Sequence, residues 1–393
     1  MLTSLALIFL LGLLLGQLCV RLRLPALLGY VLAGIALGGS ALNALSPDLL
    51  AISADLRRFA LVVILLRAGL TLKTADLRRA GRPALLLCFV PACCEIAGCV
   101  LLAPLLLGCT PLEGAVIGSV LAAVSPAVVV PRMIALIEQG RGAAHAVPQM
   151  VLAGASADDV FVIVVFTAAA GLCAGGSFSP AVLLTVPVSI ALGALAGLAL
   201  GRALAWSFPR VHLRDSYKVV LLLGVSFLLL AAEDAAPFPF SGLLAILGLG
   251  LAILHADPVR AARLSAKLNR LWAAAELLLF ALVGAAVDLP YAARAGAAAV
   301  ALVALCLVFR MAGVALSVAR SALTPKERLF AAISYCPKAT VQAAIGGTPL
   351  AMGLACGADA LTVAVISILL TAPLGALAID RTAGRLLDEA PET

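Results

Sequence analysis

The sequence predicts an all-α polytopic membrane protein with thirteen spans, and three observations predict it: composition, the length of the apolar blocks, and the placement of the basic residues. Of 393 residues, 64% are hydrophobic and 12% charged, with a mean hydropathy of +1.17. A soluble domain is about half apolar and about a quarter charged, so this chain needs lipid around it. Its apolar residues come in blocks of about 20, the length a helix needs to cross a hydrocarbon core about 30 Å thick. A β-barrel would show short alternating segments instead.

The spans fall at about 2–20, 25–39, 57–72, 83–107, 112–137, 147–171, 180–205, 217–232, 238–255, 270–287, 296–319, 326–352 and 359–380. The first, Leu2 to Val20, is too long for a signal-peptide core and has neither a preceding basic residue nor a small-residue cleavage site, so it counts as a span. Thirteen spans place the termini on opposite sides. With the N-terminus outside, the inner connections hold 21 of the 27 lysines and arginines, and the outer ones hold only Arg57, Arg58 and Arg294. That asymmetry orients the chain in a bacterial-type inner (cell) membrane with a cytoplasmic C-terminus. It also accounts for the net charge of +7 as topology, so no nucleic-acid partner is expected. The end of the chain, 383–393, reads as a short cytoplasmic tail.

The ten cysteines sit mostly in apolar runs, without a CxxC pair or metal-like spacing to His145, His212 or His255. They read as small buried hydrophobes, and no cofactor is expected. The histidines fall at inner helix ends, where a solvated side chain is the ordinary reading over a pH sensor. No nucleophile with a base, metal cluster or phosphate loop points to an enzyme.

Topology leaves Arg67, Arg310 and Lys338 at membrane depth with the acids Glu95, Asp158, Asp159 and Glu276. A charge at the bilayer centre costs at least about 2.5–3.5 kcal/mol, so such residues face the protein interior, pair, and mark ion or proton paths. Three bases cannot neutralise four acids. One carboxylate is therefore protonated or cation-bound in each resting state, as an exchange site requires. Structural ion pairing is the plain alternative, and Glu276 and Arg67 suit it as well as any transport role.

Asp158 and Asp159 are adjacent, midway along a span. Helix neighbours point about 100° apart, so one can face a path while the other meets a fixed countercharge. An aspartyl dyad for proteolysis needs carboxylates converging from separate helices, which adjacency disfavours. Two spans carry breakers: Ser125, Pro126 and Pro131 in one; Pro337, Gly346, Gly347 and Pro349 in the other. Each lies in a group of three spans, 83–171 and 296–380, and the two groups are oppositely oriented. Interrupted segments in corresponding places of inverted repeats point to a midplane ion site of a secondary transporter.

The segments SPAVVVP (125–131), GASADDVFVI (154–163) and YCPKATVQAAIGG (335–347), with LRAGL (66–70) and LLFALVGAAVD (278–288), resemble the NHA-type sodium/proton antiporters of the monovalent cation:proton antiporter superfamily. The match runs over nearly the whole chain in the same order. The resemblance implies an antiporter fold with two crossing discontinuous helices and elevator motion, a homodimer, and exchange of sodium or lithium for protons in pH homeostasis. It implies a dimerisation domain (1–82 and 210–290), a six-helix core (83–172 and 291–382) and a linking helix (173–209). Asp159 is implied to take the cation or proton, Asp158 to pair with Arg310, Glu95 and Lys338 to form a second buried pair, and Ser125 to complete coordination with freed carbonyls. Arginine at 310, where many electrogenic relatives have lysine, stays charged, so that base is not a second proton carrier. Either both aspartates carry protons, or exchange is one for one. A potassium/proton antiporter is the nearest rival; a sodium-coupled organic-solute symporter would need a polar cavity, and a channel a selectivity filter.

Overall fold

A computed structural model describes residues 1–22, 24–71, 74–175, 180–211, 213–235, 238 and 240–388. Arg23, Lys73, His212 and the last five residues of the tail thus lie outside the described residues. Among those described, every regular element is a helix. The N-terminal part holds α1 (Leu2–Arg21), α2 (Ala26–Leu37), the short α3 (Pro47–Ala51) and α4 (Ser53–Thr71). Then come α5 (Thr74–Leu87), α6 (Val90–Leu107), α7 (Pro111–Leu121), α8 (Pro126–Glu138) and α9 (Val147–Cys173). The middle holds α10 (Pro180–Ser207), α11 (Asp215–Ala235), α12 (Gly242–Ala256) and α13 (Pro258–Ala285). The chain ends with α14 (Leu289–Val318), α15 (Pro325–Ser334), α16 (Thr340–Ile345), α17 (Thr348–Ala351) and α18 (Gly357–Leu386).

Each expected span falls on a helix or on an interrupted run of helices. Seven stretches among the described residues are long and apolar enough to cross a membrane, among them Leu2–Arg21, Gly81–Leu107, Pro111–Ile137 and Leu289–Val318. The surface is inverted relative to a soluble protein: Leu105 is 81% exposed, Leu228 71% and Leu10 70%, while Glu95, Arg310 and Lys338 are 0% exposed. Only a hydrocarbon solvent makes that distribution favourable, because it satisfies apolar faces and forces charge inward.

Three boundaries differ from expectation. Helix α13 starts at Pro258 instead of about 270, because Asp257 Oδ1 accepts from Arg260 N at 2.8 Å and proline fits the first helical position. Helix α5 starts at Thr74 and passes through a kink at Gly81, whose φ of +70° is accessible to glycine. Arg57, expected in an outer connection, is buried within α4.

The chain forms two compact units: Met1–Ala54, Thr74–Gly176 and Leu277–Thr393 in the first, Asp55–Lys73 and Ser177–Glu276 in the second. Both stretches of the expected six-helix core fall in the first unit. The expected dimerisation segments are divided, 1–54 with the first unit and most of the rest with the second. Within the first unit α1 lies along α2 and α6 along α14; within the second α10 lies along α12. Small residues permit these approaches, since without a hydrophobic drive between helices in lipid, association relies on close packing. A Cβ at Gly34 would overlap the Ala281 carbonyl of α13, and one at Gly197 would overlap the Ala245 carbonyl of α12. We expect Gly34→Val to lower stability by about 1–3 kcal/mol through overpacking. Alanine at Leu32, which is 45% exposed on the same helix, should have little effect. Thermal unfolding of the two variants in detergent measures the difference.

Candidate ion site

Two helices stop and restart at membrane depth, and the local sequence dictates both events. Helix α7 opens with a capping box: Thr110 Oγ1 accepts from Glu113 N and the Glu113 carboxylate accepts from Thr110 N. The helix ends at Leu121 with Ala122 as its C-cap, Ser125 is extended, and α8 restarts at Pro126, whose missing N–H is no loss at a first helical position. Helix α15 opens with the same device, Thr324 and Glu327. It ends at Ser334, and Pro337 lies in the non-helical stretch before α16 restarts at Thr340. Thr-Pro-x-Glu therefore stands at the head of both interrupted helices, at Thr110 and Thr324. This paired motif is a repeat signal that the breakers alone did not reveal.

The two breaks meet in the first unit, where Ser125 N donates to Pro337 O at 2.8 Å. Interruption frees carbonyls, and buried carbonyls need donors. Gln342 Nε2, on α16, donates to Leu121 O at 3.0 Å and to Ala123 O at 2.9 Å, and Arg310 Nη1 donates to Ala122 O. Gln342 was not foreseen as a site residue; the signal was a fully buried amide one turn past Lys338. Thr371 on α18 is likewise new: its Oγ1 accepts from Lys338 N at 2.8 Å. Replacing Gln342 with Leu leaves two carbonyls without that donor, and we expect a loss of about 1–3 kcal/mol in the thermal unfolding of the purified protein.

Around this crossing the buried charges form one network. Arg310 on α14 donates through Nη2 to Asp158 Oδ2 at 2.8 Å, through Nη1 to Glu95 Oε2 at 2.9 Å, and through Nε to Tyr335 O at 2.7 Å. Lys338 Nζ lies 2.5 Å from Glu95 Oε2. Both implied pairs are present, Asp158 with Arg310 and Glu95 with Lys338, and they are joined: one oxygen of Glu95 is shared by Arg310 and Lys338, because the planar guanidinium presents several donors at once. Asp158 Oδ2 also accepts from Val124 N at 2.9 Å, at the α7 break. Two cations thus stand among the three carboxylates Glu95, Asp158 and Asp159, and the ion pairs engage only Glu95 and Asp158.

Asp159 is the half-buried remainder, and its Oδ1 is buried without a hydrogen-bond partner. The two breaks and Asp158 carry further unpartnered buried oxygens: Ser125 Oγ, Thr340 Oγ1 and Asp158 Oδ1. Buried polar atoms are normally satisfied, so a concentration of unsatisfied oxygens around the two breaks is a ligand-binding signature. Oxygen donors of this kind suit a hard cation.

Other predicted residues are placed as follows. Pro126 and Pro337 sit at the breaks, and Gly346 and Gly347 separate α16 from α17. Pro131 does not break its helix: α8 runs through it without interruption. The freed carbonyls of residues 121–123 already accept from Arg310 and Gln342, so any role for them in coordination draws on their second lone pairs. In the second unit Arg67 and Glu276 interact electrostatically, and the Trp272 indole hydrogen-bonds Glu276. His145 is more than a solvated side chain, since Nδ1 lies 3.0 Å from Glu327 Oε1; His255 Nδ1 lies 2.9 Å from Leu251 O.

Comparison with known proteins gives a consistent picture. A sequence profile described as sodium/hydrogen exchanger, transmembrane, matches residues 5–383. The chain is 33% identical over 381 residues to the sodium/hydrogen exchanger 9B2 of Homo sapiens, covering 93% of this chain and 70% of that protein. It is 31% identical over 377 residues to the human sodium/hydrogen exchanger 9B1, covering 90% and 71%. In three dimensions it resembles the sodium proton antiporter MjNhaP1 from Methanocaldococcus jannaschii, with a TM-score of 0.85, 21% identity and 98% of each chain covered. That likeness establishes the fold.

Proposed function

The chain belongs to the sodium/hydrogen exchanger family, and from that premise we propose that it is a secondary cation/proton antiporter exchanging sodium or lithium for protons at Asp159. The observation that carries the site is the unequal environment of the two adjacent aspartates. Asp158 is held on Oδ2 by Arg310 and Val124, whereas Asp159 Oδ1 has no partner. A carboxylate held by two donors is a fixed acceptor, and an unpartnered one is free to alternate between a proton and a cation. Competition of the two for one carboxylate couples their movements in opposite directions. Ser125 Oγ is the further oxygen we assign to the cation.

With Arg310 always charged and Asp158 held, a single group exchanges, which favours one cation for one proton and electroneutral transport. We assign the moving part to the core segments 83–172 and 291–382, in elevator alternating access. The segments 1–82 and 210–290 are assigned to homodimerisation, with 173–209 as linking helix. The basic asymmetry supports an outer N-terminus and a cytoplasmic C-terminus in a bacterial-type cell membrane.

The test is proton flux in proteoliposomes carrying an internal pH dye, with sodium, lithium or potassium added in turn at zero and at clamped potential. Sodium- or lithium-driven flux that ignores the potential is the expected result. Flux driven by potassium alone reassigns the cation, voltage dependence overturns the one-for-one reading, and no cation-driven flux rejects the antiporter.

A further inference from the structure

Away from the aspartates, the first unit gathers a second set of ligand-type side chains that the exchange site does not use. Cys173 is the last residue of α9, Cys356 is the N-cap of α18, and Glu113 lies in the first turn of α7. A sulfur from each cysteine and a carboxylate oxygen from Glu113 all lie within 4.8 Å of one another. The two thiols are in hydrogen-bond contact, and Cys109, in the connection just before α7, is close enough to interact electrostatically with Glu113 and Cys356.

We propose that Cys173, Cys356 and Glu113 form a binding site for a thiophilic divalent metal ion of the zinc class, with the fourth tetrahedral position left to solvent. Zinc bonds of about 2.3 Å to sulfur and about 2.0–2.2 Å to oxygen set tetrahedral ligand atoms roughly 3.5–4 Å apart, so the observed cluster needs only a small contraction. Thiolate ligands select zinc-class ions over magnesium or calcium. Each cysteine that coordinates gives up its thiol proton to solvent, and the metal takes the sulfur lone pair. Glu113 is pre-oriented: its Oε2 accepts from Thr110 N at 2.7 Å and from Thr110 Oγ1 at 2.8 Å, and Oε1 lies outside those bonds. Glu113 and Cys173 are half-buried and Cys356 is buried. The ligands come from the ends of separate helices, so a bound ion ties α7, α9 and α18 together at one rim. Sequence spacing hides such a site, because no two of its ligands share a short motif.

Cobalt(II) is the probe, added to thiol-reduced, metal-free protein in detergent. One cobalt per chain with an intense near-ultraviolet sulfur-to-cobalt band, displaced by one equivalent of zinc, is expected. Cys173→Ser and Cys356→Ser should each weaken the band, the double variant should abolish it, and Glu113→Gln should keep it at weaker affinity. Unchanged elution and thermal midpoint of the metal-free variants show that they fold. Absence of the band in reduced protein overturns the proposal. Its survival in the double serine variant does so too, because other thiols of the chain would then be the ligands. None of these readouts depends on transport.

Discussion

Replacing Asp159 with Asn is expected to reduce cation-driven proton flux to that of protein-free liposomes, with the fold intact. Asparagine keeps the size of the side chain and its oxygen, and loses the charge and the exchangeable proton. Asp159 Oδ1 has no hydrogen-bond partner and the ion pairs of the network run through Asp158 and Glu95, so the substitution breaks none of them. Stability in the absence of cation should therefore stay level or rise, since an uncompensated buried charge is removed. The response to cation separates loss of binding from loss of fold. A ligand at 100 times its Kd stabilises the native state by about 2.7 kcal/mol, so sodium should raise the thermal midpoint of the parent and leave Asp159→Asn unmoved. Normal exchange by the variant would place the ion seat elsewhere. A sodium-induced shift that persists without exchange would make Asp159 a proton carrier only.

The contrast between the two aspartates also shows where sequence reading reaches its limit. Adjacency at membrane depth was enough to predict that they point in different directions, because helical geometry separates neighbours by about 100°. The breaks at Ser125 and Pro337 were legible because proline and an extended preceding residue leave a local mark. Pro131 left the same mark and broke nothing, since a proline in lipid is tolerated where neighbouring groups absorb the lost bond. The sharing of Glu95 between Arg310 and Lys338 was not legible. It depends on the approach of α6, α14 and the stretch after α15, which no local pattern encodes. Gln342 was missed for a related reason: its value lies in carbonyls on another helix, visible only after the breaks are crossed. The early start of α13 was hidden because its first turns carry Arg260, Arg263 and Lys267, which read as a connection although the cap at Asp257 begins a helix.

The largest loss of stability is expected from Arg310→Ala, about 3–5 kcal/mol, the usual consequence of leaving buried charges unpaired. The side chain is fully buried, and its removal strips donors from Asp158, Glu95, Tyr335 O and Ala122 O together. Glu95 retains Lys338, but Asp158 keeps only the Val124 N–H. Arg310→Lys should recover only part of the loss, because one ammonium cannot reproduce the planar fork that reaches carboxylates on α6 and α9 and two carbonyls. A double-mutant cycle isolates the electrostatic share. If the cost arises from the orphaned Asp158 charge, adding Asp158→Asn to Arg310→Ala should restore part of the thermal stability, with a coupling of about 0.5–3 kcal/mol. Additive losses would mean that Arg310 matters chiefly for the carbonyls of the two breaks. In that case the guanidinium acts as a splint for the interrupted helices, and exchange at Asp159 should fail in Arg310→Ala even after Asp158 is neutralised.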